Sequence, residues 1–410
     1  MYMRNPTFIN VILVYLLLFV SGAQRYNQAG NKYLFLVFLI ALVTWYLFTD
    51  RKISDRYLLY MTVFMGLLFS LSLYTGGSLS LQSIIATAMK FVLAYFILKT
   101  VGTRFVETYI NVVVFLAAVS LIGYIIDVMH LFDGLIAKLP TVGEMGYEGV
   151  LYTFRHKYHP DRNNSIFFEP GAYQGFLNAA LFLIVFARTG FANKKKWIYL
   201  TILTTALITT TSTTGFVIFS ILYGLFLYKS KLASFSQKVV SIGLAILLTG
   251  LFAAKFHSVI VVKLDSYLNP SVARQGWSAE NRSFDAKTDL KIFKKHVFGL
   301  GYEEYRKEFS AIGRVDATEG SSNGVTSMFA NYGLPYALFI FASYYWALRR
   351  LLGEIFLTTA AYIMFILFLW GESYYQLAPI SLSIIAAAFV YSRIPVKDKL
   401  QDGEGNVQQA

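Results

Sequence analysis

The chain has 410 residues, 56% of them hydrophobic and 14% charged, with a mean hydropathy of +0.53. A soluble globule of this size needs a polar skin, in which about a quarter of residues are charged, so the composition excludes one and implies an all-α, polytopic membrane protein. Cysteine is absent, which excludes disulfide scaffolds, thiol nucleophiles and cysteine metal sites. The net charge of +13 is read as lysine and arginine flanking spans on the cytoplasmic side, with no nucleic-acid partner.

A helix needs about 20 apolar residues to cross a bilayer, which predicts about 12 spans along the chain. They fall at 7–24, 33–49, 57–75, 81–100, 106–130, 172–189, 197–211, 214–229, 238–256, 325–348, 352–371 and 374–392. Ser21, Gly22 and Ala23 mimic a signal-cleavage site, but only Arg4 precedes them as a cation, so the first span is read as retained. The spans at 197–211 and 214–229 are short and meet in a hydroxyl-rich turn, Thr209 to Gly215. Such a turn can lie at membrane depth where protein or water satisfies its backbone.

Basic loops set the orientation. Arg51, Lys52 and Arg56 share one loop, Lys99 and Arg104 another, and Arg188 with Lys194, Lys195 and Lys196 a third. Lys229, Lys231 and Lys238, then Arg349 and Arg350, then Arg393, Lys397 and Lys399 continue the series. These alternate with short loops nearly free of charge, such as Thr75 to Ser78. The positive-inside rule then places both termini in the cytoplasm, with a cytoplasmic tail at 393–410. Two long segments, 131–171 and 257–324, are left outside, and segments of that length are usually functional or separately folded.

Lys90 falls in the middle of the fourth predicted span, where an ammonium is costly. Contact with a substrate or lipid phosphate and structural pairing or snorkelling are both open to it. Asp127 and Glu372 are ionisable neighbours of spans that can serve as partners.

The first external segment ends in a run dense in donors, Arg155 to Glu169, before Pro170 opens a helix. Arg155, Lys157 and Arg162 are candidate phosphate ligands, because the planar guanidinium fork matches pyrophosphate oxygens. Glu169 is the first candidate for a general base, since a carboxylate beside Pro170 and Phe168 is open to an upward pKa shift. A purely dipolar role at the helix N-terminus is the alternative. His159 and His156 are the other candidate bases, and their spacing is a weak metal pair.

In the second external segment Ala286, Leu290, Phe293 and Val297 form an apolar helical stripe with Lys287, Lys291, Lys294 and Lys295 largely off it. Gly299 and Gly301 end that helix, and Tyr302, Tyr305, Phe309 and Ile312 begin another stripe. An amphipathic hairpin over the membrane mouth is expected, with a cationic face suited to anionic lipid or substrate. A phosphate-binding P-loop, a dinucleotide Gly-x-Gly-x-x-Gly, a His-Glu-x-x-His and an Asp-x-Asp pair are all missing from the sequence, which disfavours nucleotide-driven transport, zinc proteolysis and metal-dependent nucleotide-sugar transfer.

Together, Arg162, Phe167, Phe168, Glu169, Pro170 and Tyr173, the Ser212 to Gly215 turn, Gly299 and Gly301, and Ser322 and Asn323 ahead of Tyr332 and Gly333 resemble the Wzy-type O-antigen polymerases and the related O-antigen ligases. The resemblance implies a GT-C-like helical architecture in the bacterial inner membrane and a glycosyltransferase needing neither metal nor nucleotide cofactor. Undecaprenyl-pyrophosphate-linked oligosaccharides would be its substrates, membrane lipids its surroundings, and a chain-length regulator and a flippase its partners. Arg162 matches the first-loop arginine of that family; Arg282 or Arg274 would be the second-loop arginine, with Arg282 preferred because it precedes the lysine-rich helix. Tyr173 and Asn323 are further site candidates by the same resemblance. Ligases carry a catalytic histidine where Ser322 stands here, which favours polymerisation over ligation. A transporter of lipid-linked sugars or of solutes is the competing class, although both long segments face outward and no internal repeat is visible.

Overall fold

The structure, a computed structural model, describes residues 7–29, 31–141, 146–149, 151–157, 159–229, 280–312 and 320–394. The predicted span at 238–256, Arg274, the opening of the predicted second external segment and most of the predicted tail lie outside the described residues. The described part is overwhelmingly helical.

Four stretches among the described residues are long and apolar enough to cross a membrane: Asp55–Tyr74, Leu81–Val128, Gly324–Leu352 and Ser373–Val390. Shorter apolar helices, Thr7–Phe19, Lys32–Phe48, Pro170–Phe186, Thr213–Tyr228 and Ile355–Gly371, fall where other spans are predicted. The chain is therefore a membrane protein by its helices as well as by its composition. Phe35, Leu36, Val43 and Leu47 on one helix and Leu58, Leu59 and Val63 on the next are exposed, as lipid-facing positions are.

In chain order the helices are α1 (Thr7–Phe19), α2 (Gln24–Ala29), α3 (Asn31–Phe48), α4 (Asp55–Tyr74), α5 (Leu81–Val101), α6 (Phe105–Val128) and α7 (Asp133–Ile136). Then follow α8 (Pro170–Phe186), α9 (Asn193–Thr209), α10 (Thr213–Lys229), α11 (Glu280–Lys295), α12 (Tyr302–Ile312), α13 (Gly324–Leu352), α14 (Ile355–Gly371) and α15 (Pro379–Val390). Gly102, at φ 62°, breaks the long apolar stretch between α5 and α6. Ser80 caps α5 by accepting the Ser83 N–H, and Pro170 and Pro379 open α8 and α15, where a missing N–H costs nothing.

One half of the bundle is centred on α5, which packs on α3, α15, α1 and α4. Its seam is aromatic: Tyr57 stacks on Tyr95 with ring centres 4.0 Å apart, and Trp45 stacks on Phe96 at 4.5 Å. In the other half α8 lies against α6, α9 and α10, while α14 joins α10 to α13.

The segment 131–171 is folded onto this frame. A two-residue hairpin pairs Tyr147–Glu148 with Thr153–Phe154. Asn163 donates its backbone N–H to Thr209 O (2.9 Å) and its amide to Thr209 Oγ1 (2.9 Å), so the hydroxyl-rich turn is satisfied by this segment. The residues resembling a cleavage site are knitted in as well. Ala23 bridges to Phe167, and Ser21 Oγ accepts the Ile380 N–H at 2.9 Å.

The second segment departs from its predicted stripe. Leu290 and Val297 are exposed, and the buried face of α11 is Asp285, Ala286, Thr288, Asp289 and Ile292. Hydroxyl donors on neighbouring elements stabilise the two carboxylates there, and this outweighs the apolar spacing. On α12 the stripe is as predicted at Tyr305 and Phe309, which form a small core with Ile292 and Ala330, while Tyr302 is partly exposed. Gly299 and Gly301 press on the break in α13 at Gly333: Gly301 N donates to Asn331 O (2.9 Å) and Leu334 N to Val297 O (2.8 Å). All three glycines have positive φ (87°, 73° and 79°), which a side chain would strain.

Candidate active site

Four separate segments meet where the segment 131–169 joins α8. Glu169 is the N-cap residue of α8 and makes no capping bond with its side chain, so its carboxylate points elsewhere. Glu372 sits in the break after α14, with non-helical φ −143°. The two carboxyls are hydrogen-bonded to each other. Glu372 is only 3% exposed, whereas Glu169 is 30% exposed and forms the open side of the pair.

Gly171 makes this approach possible, because a Cβ at that position would overlap Glu372 Oε1. The Pro170-Gly171 step thus does two things at once. Proline starts the helix, and glycine leaves room for the second carboxyl.

Cations surround the pair. Arg282, in the first turn of α11, places Nη2 3.6 Å from Glu372 Oε1. His159 Nε2 lies 4.0 Å from Glu169 Oε2. Arg162 donates Nε–H to Thr210 O at 2.9 Å, so the hydroxyl-rich turn aims its guanidinium, and its Nη1 reaches His159 Nδ1 at 3.5 Å. His156 stacks on His159 with ring centres 5.2 Å apart, and its Nε2 lies 3.0 Å from Phe168 O.

The protonation pattern follows from this geometry. Burial and the neighbouring Glu169 charge push Glu372 far up, so Glu372 holds the proton and donates it in the shared bond. Burial also acts to raise Glu169, but the bond from Glu372 together with Arg282, His159 and Arg162 holds it below the ordinary glutamate range. Glu169 is thus the ionised member. The upward shift open to Glu169 in the sequence reading falls on Glu372 instead, because the bond from Glu372 and the neighbouring cations outweigh burial at Glu169. Burial pushes His156 down, keeping it neutral with Nε2–H donating to Phe168 O.

The structure therefore brings together Glu169, His159, Arg162 and Arg282. Arg155 goes elsewhere: its backbone N–H and guanidinium hold Asp127, and it also pairs with Asp133, tying the segment to the end of α6. Tyr173 is a core residue, bonded to Ser120 Oγ at 2.9 Å and stacked on Phe167. Asn323 is the N-cap of α13, accepting the Val325 and Thr326 N–H groups. Lys90 stands midway along α5, half-buried, and makes none of the contacts of the carboxylate pair.

Glu372 as the proton carrier, Gly171 as its clearance and the Thr210 carbonyl as the arginine guide were not legible as site features. Glu372 and Glu169 lie half a chain apart, so no local spacing links them. No protein-family model matches this chain, and no curated protein does.

Proposed function

We propose that this chain polymerises undecaprenyl-pyrophosphate-linked oligosaccharide repeats into a surface polysaccharide, in the manner of the Wzy-type polymerases it resembles. The observation that carries the reading is the hydrogen-bonded Glu169–Glu372 pair flanked by Arg162 and Arg282. A base and a doubly cationic anion site within one opening are what transfer from a lipid pyrophosphate requires.

In this reading a hydroxyl oxygen of the acceptor repeat bonds to the anomeric carbon of the donor glycan. The bond from that carbon to the pyrophosphate oxygen breaks, and the electron pair leaves with undecaprenyl pyrophosphate. Arg162 and Arg282 bear the charge developing on the leaving group. Glu169 takes the hydroxyl proton, with His159 beside it to pass the proton outward. Glu372 keeps Glu169 oriented by donating to it.

The full architecture that accompanies this function is a GT-C-like bundle of about 12 spans in the bacterial inner membrane, with both termini cytoplasmic and the site facing the periplasm. A flippase would deliver the lipid-linked repeats, and a chain-length regulator would act alongside.

The test is product analysis of the purified, reconstituted protein with undecaprenyl-pyrophosphate-linked repeats from the source strain, without nucleotide or added metal. A ladder rising by whole repeats is expected. Transfer only to an added lipid-core acceptor would make the chain a ligase. Movement of intact lipid-linked repeat across the bilayer, with no new glycosidic bond, would make it a carrier.

A further inference from the structure

Arg282 is one of three residues on a single face of α11. Asp285 and Asp289 follow it at spacings of three and four, and both are fully buried. Their oxygens are taken by groups from other elements. Ser322 gives Asp285 Oδ2 its backbone N–H (2.9 Å) and its hydroxyl (2.7 Å). Asp289 Oδ2 accepts Ser321 Oγ (2.8 Å) and Thr326 Oγ1 (2.6 Å), and its Oδ1 accepts the Tyr305 hydroxyl at 2.7 Å.

The donors on 321–326 belong to the cap of α13, and that cap is fixed at its other side to the Glu372 segment. Gln376 Nε2 donates to Ser327 Oγ (2.6 Å) and to Gly324 O. A Cβ at Gly324 would lie 2.9 Å from Ser373 Cα, so the two backbones touch. One short piece of chain therefore joins α11 to the loop that carries Glu372. Its links to α11 are the two aspartates, and its links to the loop are Gly324 and Gln376.

We infer that Asp285 and Asp289 are positioning residues that set the rotation of α11, and thereby hold the Arg282 guanidinium against the Glu169–Glu372 pair for capture of a pyrophosphate group. The assignment rests on the proposed anion-binding role of Arg282. A helix that carries a cation at its first turn needs its rotation fixed further along. Buried carboxylates do this more strictly than apolar contacts, since each oxygen must meet its donors in direction as well as distance. This also explains why α11 buries aspartates where its apolar spacing alone would bury leucine.

The experiment has two arms on the full chain in nanodiscs. The first measures binding of inorganic pyrophosphate to wild type, Arg282→Ala, Asp285→Ala/Asp289→Ala and the triple variant. Weakening of roughly tenfold is expected for Arg282→Ala and for the aspartate pair alike, with little further loss on combining them, because positioning acts only through the arginine. A purely structural role would give losses that add, and would overturn the inference. Ser322→Ala/Thr326→Val removes two of these five bonds from the partner side and should weaken binding in the same direction as the aspartate pair, guarding against a variant that fails to fold.

The second arm exploits the absence of native cysteine by placing nitroxides at Lys291→Cys and Lys157→Cys. A narrow distance distribution in the otherwise native chain should broaden in Asp285→Ala/Asp289→Ala and stay narrow in Arg282→Ala. An unchanged distribution in the aspartate variant would overturn the inference. If wild type binds no pyrophosphate at all, the anion-site reading of Arg282 fails, while the nitroxide distances still decide whether the aspartates fix α11.

Discussion

Glu372 donates its carboxyl hydrogen to Glu169, and this one bond assigns different charges to two acids of the same type. Burial places the proton on the more enclosed group. Replacing Glu169 by Gln should lower the rate of chain growth by about 10²- to 10⁴-fold, the usual worth of a general base. Glu372→Gln keeps a neutral donor and should retain far more activity. Because Glu169 is held below the ordinary range, chain growth should persist on acidification until that group protonates. Initial rates of ladder formation across pH check all three expectations, and equal losses in the two variants would remove the division of roles.

Gly171 clears the space that the Glu372 carboxyl occupies. Gly171→Ala should displace Glu372, disturb its proton donation and reduce the rate at least tenfold through misalignment at the site. The helix itself tolerates alanine, so melting of the purified protein should change little. A variant with full activity would show that the two carboxyls need not touch.

Arg155 and Arg162 lie close in sequence and differ in duty. Arg155→Ala leaves the buried Asp127 with only backbone donors and should lower folding stability by about 1–3 kcal/mol, while protein that does fold still makes long products. Arg162→Ala should give well-inserted protein that makes none. Thermal melting and product gels on the same two samples separate the roles.

Asp289 offers a check on folding by pH. Burial, with the Asp285 charge adding to it, raises Asp289 to about 6 against the three hydroxyl bonds that lower it. The folded chain thus holds this proton more tightly than the unfolded chain, whose aspartate titrates near ~3.9. The stabilisation is complete below that unfolded value and is lost as pH rises through about 6, a change of up to ~3 kcal/mol. Melting temperature should therefore fall between pH 5 and pH 7 in wild type, and fall less in Asp289→Asn. Parallel pH profiles for the two proteins would exclude this contribution.

Lysines on the outer face of α11 report sidedness. A Lys287→Cys chain in oriented cells should react with an impermeant maleimide added outside the inner membrane. Reaction only after the cytoplasmic side is opened would invert the proposed orientation.

The sequence carried the membrane class of this protein and the neighbourhood of its candidate site. Apolar runs fix helices in a bilayer because an unpaired backbone is intolerable there, so the membrane helices and the Pro170 start of α8 are legible without coordinates. Arg162, His159 and Glu169 are legible as candidates because they crowd a short polar run before a span. Residue type does not divide roles within that run. Arg155 reads like Arg162 by type, yet Asp127 and Asp133 claim it. On α11 the apolar stripe pointed to Leu290 and Val297, whereas the hydroxyls of Ser321, Ser322, Thr326 and Tyr305 brought Asp285 and Asp289 inward.

By itself, then, the sequence determined that the chain lives in a membrane, where its polar segments begin, and which charged side chains crowd the start of α8. Only the tertiary structure decided that Glu372 joins Glu169, that Arg282 is the cation beside them, and which carboxyl keeps the proton. The reason is that pairing and protonation depend on distance and enclosure, and residues half a chain apart acquire both only when the helices pack.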